Sequence, residues 1–363
     1  MSGFLDDLSE DQQRTLQSFK EKVPEILKKA ECTKQDTVAF GVDMSKDSEA
    51  RDMILLKYLR AREFDEEKSV TMLSDTMEWR KDAELETLLK TPLAEHFLGH
   101  DVEEGFDVKG RRVQLSRYGG MDTDVVFADV EEFVKYRVTI MERNVRKLTF
   151  KKGEPEDFCV VHDYKGVSLM RGGNVKKCVN EITKVLSDHY PEFKGIGIFM
   201  NFPAIFVTFI NAFTIFMSAK TKSKLVFLGE GDFEGLFQYI PPEQLSVQDG
   251  GLGVDTVGKA KVETVSSGER RVVSLGQVTK GQKGEVRARV LFYEAPVKLA
   301  LKPTGAAEDA EPEILWEKEI TADQEEPVEK VAWEASQAGE LVFIIDNSAA
   351  YFRSRTVVLS SPL

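Results

Sequence analysis

Through the first third of the chain, apolar residues recur at helical spacing. Ser9 with Gln12 three positions on makes a capping-box pattern, and Leu16, Phe19, Val23 and Leu27 then share one helical face. In "ARDMILLKYLRA", Ile54, Leu55, Tyr58 and Leu59 form a second stripe. Asp65 is placed to cap a third helix, with Val70, Leu73 and Met77 turned inward. These stripes predict a helical N-terminal region over residues 1–95.

The middle of the chain alternates between periods. "RRVQLSRYGG", "DFCVVHDYKG", "GIGIFMNFP" and "KLVFLG" read as strands. Helical patterns fall between and after them, from Phe133 to Leu148, Val175 to Leu186 and Ala204 to Ser218, and in "FEGLFQYI". Strands separated by helices of this length predict a largely parallel sheet, placed over residues 96–254. Beyond "DGGLGV" the period becomes two. Val286, Ala288 and Val290 alternate with Arg287 and Arg289, and "GELVFIID" and "TVVLSS" follow as further strands. The acidic "TGAAEDAEPEILWEKEITADQEEPVEK" reads as an insert. Residues 255–363 are thus expected to form an all-β antiparallel sandwich.

One segment stands out. From Gly195 to Ala219 no residue is charged, a length that invites a membrane span. Its first part is better read as a buried strand and turn, and Asn201, Pro203, Thr208, Asn211 and Thr214 would sit near the bilayer centre. The rest predicts a helix in which Phe206, Phe209, Ile210, Phe213, Phe216 and Met217 recur at three- and four-residue spacing, preceded by Phe202. Ile205, Val207 and Ile215 make it apolar all round, as in a core helix or one with lipid against a face. Each phenylalanine left in water would forfeit about 2 kcal/mol, so the helix is expected to wall an apolar cavity and to rest against a membrane. "SAKTKSK" follows at once, with lysines that either snorkel or meet a phosphate-bearing headgroup.

Composition narrows the classes. The 363 residues carry a formal net charge of −13, which argues against general nucleic-acid binding. Cys32, Cys159 and Cys178 are far apart, and the acidic start lacks a signal-peptide h-region, so a reducing, cytoplasmic setting is expected. His96 and His100 have metal-compatible spacing but no HExxH pattern, and read as surface histidines. His162 and His189 have no nucleophile at recognisable spacing, and Cys159 reads as a small core residue. "LGEGDFEG" and "GGLGVDTVG" miss the dinucleotide pattern and read as turns. No enzyme, metal or cofactor is expected.

The stretches "ILLKYLRAREFDEEKSVTMLSDTMEWRKD", "HYPEFKGIGIFMNFPAIF", "KTKSKLVFLG" and "DGGLGV" closely resemble the CRAL-TRIO lipid-binding family, in its secretory phosphatidylinositol-transfer branch. The likeness runs from about Ser48 to Val254. The last third resembles a GOLD domain, with Asp346, Asn347 and Ser348 followed by Tyr351, Phe352, Arg353 and Arg355, a pairing found in patellin-like proteins. The resemblance implies a fold of helical subdomain, α/β lipid-binding domain with gate helix, and β-sandwich.

The resemblance also implies an inositol-phosphate site at Arg62, Glu192, Thr221 and Lys224. Arginine and lysine suit phosphate, threonine offers a hydroxyl, and glutamate accepts from inositol hydroxyls. Glu63 stands where the family often has a basic residue. Phe158, Val160 and Gln114 stand where its choline-lipid branch has hydroxyl side chains and a tyrosine. The implied function is non-enzymatic transfer or presentation of phosphatidylinositol, supporting phosphoinositide signalling and membrane trafficking. A second ligand of sterol, tocopherol or isoprenoid type is implied with it. The alternative is a lipid-regulated trafficking or signalling adaptor. The implied partners are phospholipid, a membrane surface contacted peripherally, and a protein partner of the GOLD domain.

Overall fold

The computed structural model describes residues 5, 7–167, 174–202, 222–307 and 310–361. The chain forms two compact units: one of residues 1–103 and 109–231, the other of residues 104–108 and 232–363.

The first unit begins with three helices, α1 (Glu10–Lys29), α2 (Glu49–Ala61) and α3 (Glu66–Asp82). The α1 capping box forms as expected: Ser9 Oγ accepts from the Gln12 amide at 3.2 Å and Gln12 Oε1 accepts from the Ser9 amide at 3.0 Å. Ser48 and Asp65 cap α2 and α3 in the same way. Leu16, Phe19, Val23, Ile54, Leu55, Tyr58, Leu73 and Met77 are all buried in one core.

A small hairpin of β1 (Val38–Ala39) and β2 (Val42–Asp43) follows α1, and two single-turn helices, α4 (Leu85–Leu88) and α5 (Thr123–Val126), lie between the larger elements. The sheet has the order β3 (Asp101–Phe106), β4 (Arg112–Arg117), β5 (Phe158–Asp163), β6 (Lys194–Met200), β7 (Leu225–Phe227). The β4–β5, β5–β6 and β6–β7 pairs are parallel, as the alternation of strand and helix predicted. Helices α6 (Val130–Val145) and α7 (Val175–His189) supply the crossovers. Arg80 of α3 donates to both Glu142 oxygens on α6, at 2.6 and 3.1 Å, and Tyr190 Oη donates to Glu142 at 2.8 Å. This buried, charge-balanced triad pins the helical region to the sheet.

In the second unit, α8 (Phe233–Phe237) precedes eight strands: β8 (Ala260–Val265), β9 (Arg270–Val278), β10 (Lys283–Val290), β11 (Glu294–Pro303), β12 (Glu313–Thr321), β13 (Glu329–Glu334), β14 (Gly339–Asp346) and β15 (Arg355–Ser360). They form two four-stranded antiparallel sheets, ordered β13-β10-β15-β8 and β12-β11-β14-β9. Val286, Ala288 and Val290 face Val297, Leu299, Leu341 and Phe343 in the core between them. The acidic stretch read as an insert instead supplies β12 and β13, one edge strand of each sheet. An edge strand tolerates charge on its outer face, which hid both strands from a hydrophobicity pattern.

Candidate functional site

A charged cluster gathers where α2 meets the starts of β5 and β6. Lys57 and Arg60, one helical turn apart on α2, both point inward. Arg60 Nε donates to Glu192 at 2.7 Å and its Nη2 to Glu156 at 2.6 Å, while Lys57 Nζ donates to the Glu192 carbonyl at 3.2 Å. Burial pushes the Lys57 ammonium down to about 8, against the pull of Glu156. Glu192 holds its side chain there from a left-handed backbone conformation, φ 54°. Asp157 next to Glu156 has its carboxyl pushed up by burial, opposed by Arg111, Lys57 and Lys224. A cleft of about 460 Å³ opens here, with Lys109, Arg111, Lys152, Glu156 and Asp157 on its wall. Carboxylates beside cations suit a ligand that is both polyol and phosphate.

Of the four headgroup residues expected, Glu192 joins this cluster, and Lys224 lies near enough to Asp157 to act on its carboxyl. Arg62 does not join the cluster. It is the C-cap of α2, donates to the Ala61 carbonyl, and lines a separate groove of about 600 Å³ with Asp75, Asp188 and His189. Arg60 stands in its place on Glu192. Thr221 lies outside the described residues, as do Phe206, Phe209, Ile210, Phe213, Phe216 and Met217 of the expected gate helix.

The flanks of that apolar segment are described, and both are fastened to the sheet. The Phe202 amide donates to the Leu228 carbonyl at 3.1 Å, and the Gly197 amide to the Lys224 carbonyl at 2.8 Å. Asn201, at φ 53°, donates through Nδ2 to Asp163 at 2.6 Å and accepts from the Gly231 amide at 2.8 Å. The segment therefore leaves and re-enters a fixed frame.

The sheet face beside this frame is polar and aromatic. Strand alternation and register put Gln114 and Ser116 of β4, Val160 and His162 of β5, and Gly197 and Phe199 of β6 on one side. Phe202 packs edge-on to Phe199 and Tyr164, and Phe199 stacks on His162 at 4.9 Å and Phe227 at 4.8 Å. Arg137 of α6 is balanced by Asp101, 3.1 Å away, and Tyr136 also donates to Asp101. Lys194 Nζ lies 2.9 Å from His162 Nε2.

Sequence reasoning passed over Lys57, Arg60 and Lys194, and weighed His162 only as a partner for a nucleophile. The available signal was charge inside apolar runs, "ILLKYLR" and "FKGIGIF", but partners 32 to 135 positions away are invisible to spacing.

Among the described residues no helix is long and apolar enough to cross a membrane, and no group of His, Cys, Asp and Glu is arranged to hold a metal. His96 instead faces Glu132 at 3.5 Å. In the second unit the loop after β14 exposes Tyr351 and Phe352 at 85% and 94%. Asn347, behind it, is buried and donates to the carbonyls of Val265, Ser266 and Arg353, so the "DNS" turn fixes the loop's base.

Comparison with known proteins agrees with this architecture. Residues 99–251 match the CRAL/TRIO domain and residues 15–75 the CRAL/TRIO N-terminal domain. Patellin-3 of Arabidopsis thaliana is 29% identical over 95% of this chain and 74% of its own length. The phosphatidylinositol transfer protein SFH5 of Vanderwaltozyma polyspora is 28% identical over 53% of this chain and 67% of its own. The crystal structure of Sfh5 superposes with a TM-score of 0.57 at 23% identity, over 64% of this chain and 85% of that one. With helical region, parallel sheet and matched domains in one order, and an all-β unit that fits a GOLD domain, the chain belongs to the CRAL/TRIO family.

Proposed function

We propose that the protein is a non-enzymatic lipid carrier that binds phosphatidylinositol and a second apolar ligand and exchanges them with membranes. The observation that carries this reading is the apolar segment at residues 203–221, fastened at both ends to a sheet whose adjoining face is lined by aromatic rings. The segment's phenylalanine-rich sequence is what a gate over that face requires. The headgroup is assigned to the cluster of Glu192 and Lys224, with Arg60, Lys57 and Glu156 around them and Thr221 next to it in sequence. Bound lipid is the ligand, and no cofactor takes part. The relative named for phosphatidylinositol transfer supports the choice of lipid.

Membrane contact is assigned to the gate and to the Tyr351–Phe352 tip, where two adjacent exposed rings beside Arg353 suit an interfacial or protein surface. The setting is cytoplasmic with transient membrane association, in support of phosphoinositide signalling and trafficking.

The test is transfer of labelled phosphatidylinositol between two vesicle populations by the full chain. Transfer above the spontaneous rate, reduced by Glu192→Gln, is expected. Transfer at the spontaneous rate overturns the reading.

A further inference from the structure

We propose that the second ligand carries a carboxylate, bound by Lys194, with His162 steering the ammonium. The inference rests on the carrier reading above and specifies what that ligand must be.

Lys194 begins β6, and its side chain runs along the strand over Gly197 to the face that holds His162. A Cβ added at Gly197 would lie 3.1 Å from Lys194 Cε and 3.3 Å from Nζ, tighter than ordinary van der Waals contact. The glycine is what lets the lysine lie there and bring Nζ to 2.9 Å from His162 Nε2. His162 Nδ1 is in turn 2.9 Å from Tyr118 Oη. The protons follow from valence. An ammonium has no acceptor, so with Lys194 charged Nε2 must accept, and the imidazole proton sits on Nδ1 and is donated to the Tyr118 oxygen. The remaining ammonium protons are then left for a ligand, and an acceptor-only group suits them.

The charges do not balance without one. Arg137, the nearest other cation, is matched by Asp101, and Tyr136 and Ser116 also donate to Asp101. Lys194 has no carboxylate in ion-pair reach among the described residues. Residues 168–173 and 203–221 contain no aspartate or glutamate to supply one. Its described contacts are His162 and the Phe199 ring, 5.9 Å away. The cluster thus holds one cation too many. A single carboxylate restores neutrality, whereas an ester or alcohol does not.

Lys194, Phe199, Tyr118, Tyr164 and Phe202 each keep accessible surface, while Ile198 and Met200, on the opposite face of β6, have almost none. A lysine that only filled volume would be a poor choice here. Burial pushes its ammonium down to about 8, and an apolar side chain would fill the same space without that desolvation cost.

The experiment uses the delipidated full chain, a fluorescent long-chain fatty acid and its methyl ester at pH 7, with phosphatidylinositol transfer measured in parallel. The wild type is expected to bind the acid at least ~10-fold more tightly than the ester, the scale of one desolvated charge pair. Lys194→Met should erase that preference by weakening the acid alone, leaving the ester and phosphatidylinositol transfer unchanged. Gly197→Ala, which keeps the lysine and crowds its path, should reduce the preference in the same direction. Tyr118→Phe should do so by a smaller factor, and it carries the test if Lys194→Met does not fold. Equal binding of acid and ester by the wild type overturns the inference while phosphatidylinositol transfer upholds the carrier reading. Equal loss of both probes and of transfer in Lys194→Met also overturns it. Binding of neither probe together with absent transfer overturns both.

Discussion

Arg80 is a buried cation and Lys194 a half-buried one in the α/β unit, and their surroundings differ in kind. Arg80 sits between α3 and α6 with two nitrogens on Glu142, whose carboxyl is held below its usual range by that guanidinium and by the Tyr190 hydroxyl. Its ring neighbour, Phe40, lies 4.7 Å away. Every charge there has its counter-charge. Lys194 is as firmly placed, but its nearest polar partner is a neutral imidazole, held neutral by burial and by Lys194 itself. A closed ion pair of the first kind is a fastener, whereas an uncompensated cation that keeps accessible surface suits an incoming anion. The Lys57–Arg60–Glu156–Glu192 cluster lies between the two, paired yet bordering a cleft.

The comparison predicts opposite responses to the same kind of substitution. Arg80→Leu leaves the buried Glu142 carboxylate only Arg146 and Tyr190 as partners and should cost about 3 kcal/mol, the largest effect here, seen as a lower unfolding midpoint in urea with ligand preference unchanged. Lys194→Met should leave the apo midpoint equal or raised, because it removes a desolvated charge and strands none. A large loss of stability in Lys194→Met would break the distinction.

A pH series sharpens it. Lys57 and Lys194 both have folded values near 8 against an ordinary value of 10.5. Between these values the unfolded chain binds more protons than the folded one, so apo stability should rise as pH is raised from about 8 to 9.5. The gain should be on the order of 3 kcal/mol for the pair, and Lys194→Met should remove about half of it. Urea melts at intervals across that window measure the slope.

Smaller effects separate the two ligands and the two units. Arg60→Lys keeps the charge but loses the two-carboxylate fork, and should slow phosphatidylinositol transfer about 5- to 10-fold with fatty-acid binding intact. Tyr351→Ser with Phe352→Ser should change stability by less than ~0.5 kcal/mol and weaken vesicle sedimentation only a few-fold. Full retention of vesicle binding in that double variant would remove the tip from the membrane contact.

The fold was largely legible in the sequence because its signals are local. The Ser9–Gln12 capping box, the α2 and α3 stripes and the alternation of Val286, Ala288 and Val290 each report on neighbours a few positions away. In the second unit the strands that escaped are β8, β9, β12 and β13 at sheet edges and the interior β11. In β13, Val331 and Trp333 are buried between exposed Lys330, Ala332 and Glu334, a period of two diluted by surrounding acid. In β11, opposite β12, a bulge at Leu299/Ala300 breaks the register between the two strands.

The site was legible only in part. "YPE" and "TKSK" pointed to the right strand ends, but which arginine of "LRAR" meets Glu192 depends on where α2 stops. Arg60 is inside the helix and faces the sheet, and Arg62 is one residue past its end. The Lys194–His162 contact requires two parallel strands in register and a glycine between, which only the sheet supplies.

The central claim is that this chain travels with lipid inside it. Native mass spectrometry of the full chain purified without detergent tests it most directly, with the bound species extracted and identified. The account predicts a mass exceeding that of the polypeptide by one lipid per chain, with phosphatidylinositol among the extracted species and a carboxylate-bearing amphiphile as the alternative occupant. A polypeptide that emerges at its bare mass, and stays so after incubation with phosphatidylinositol vesicles, would contradict it.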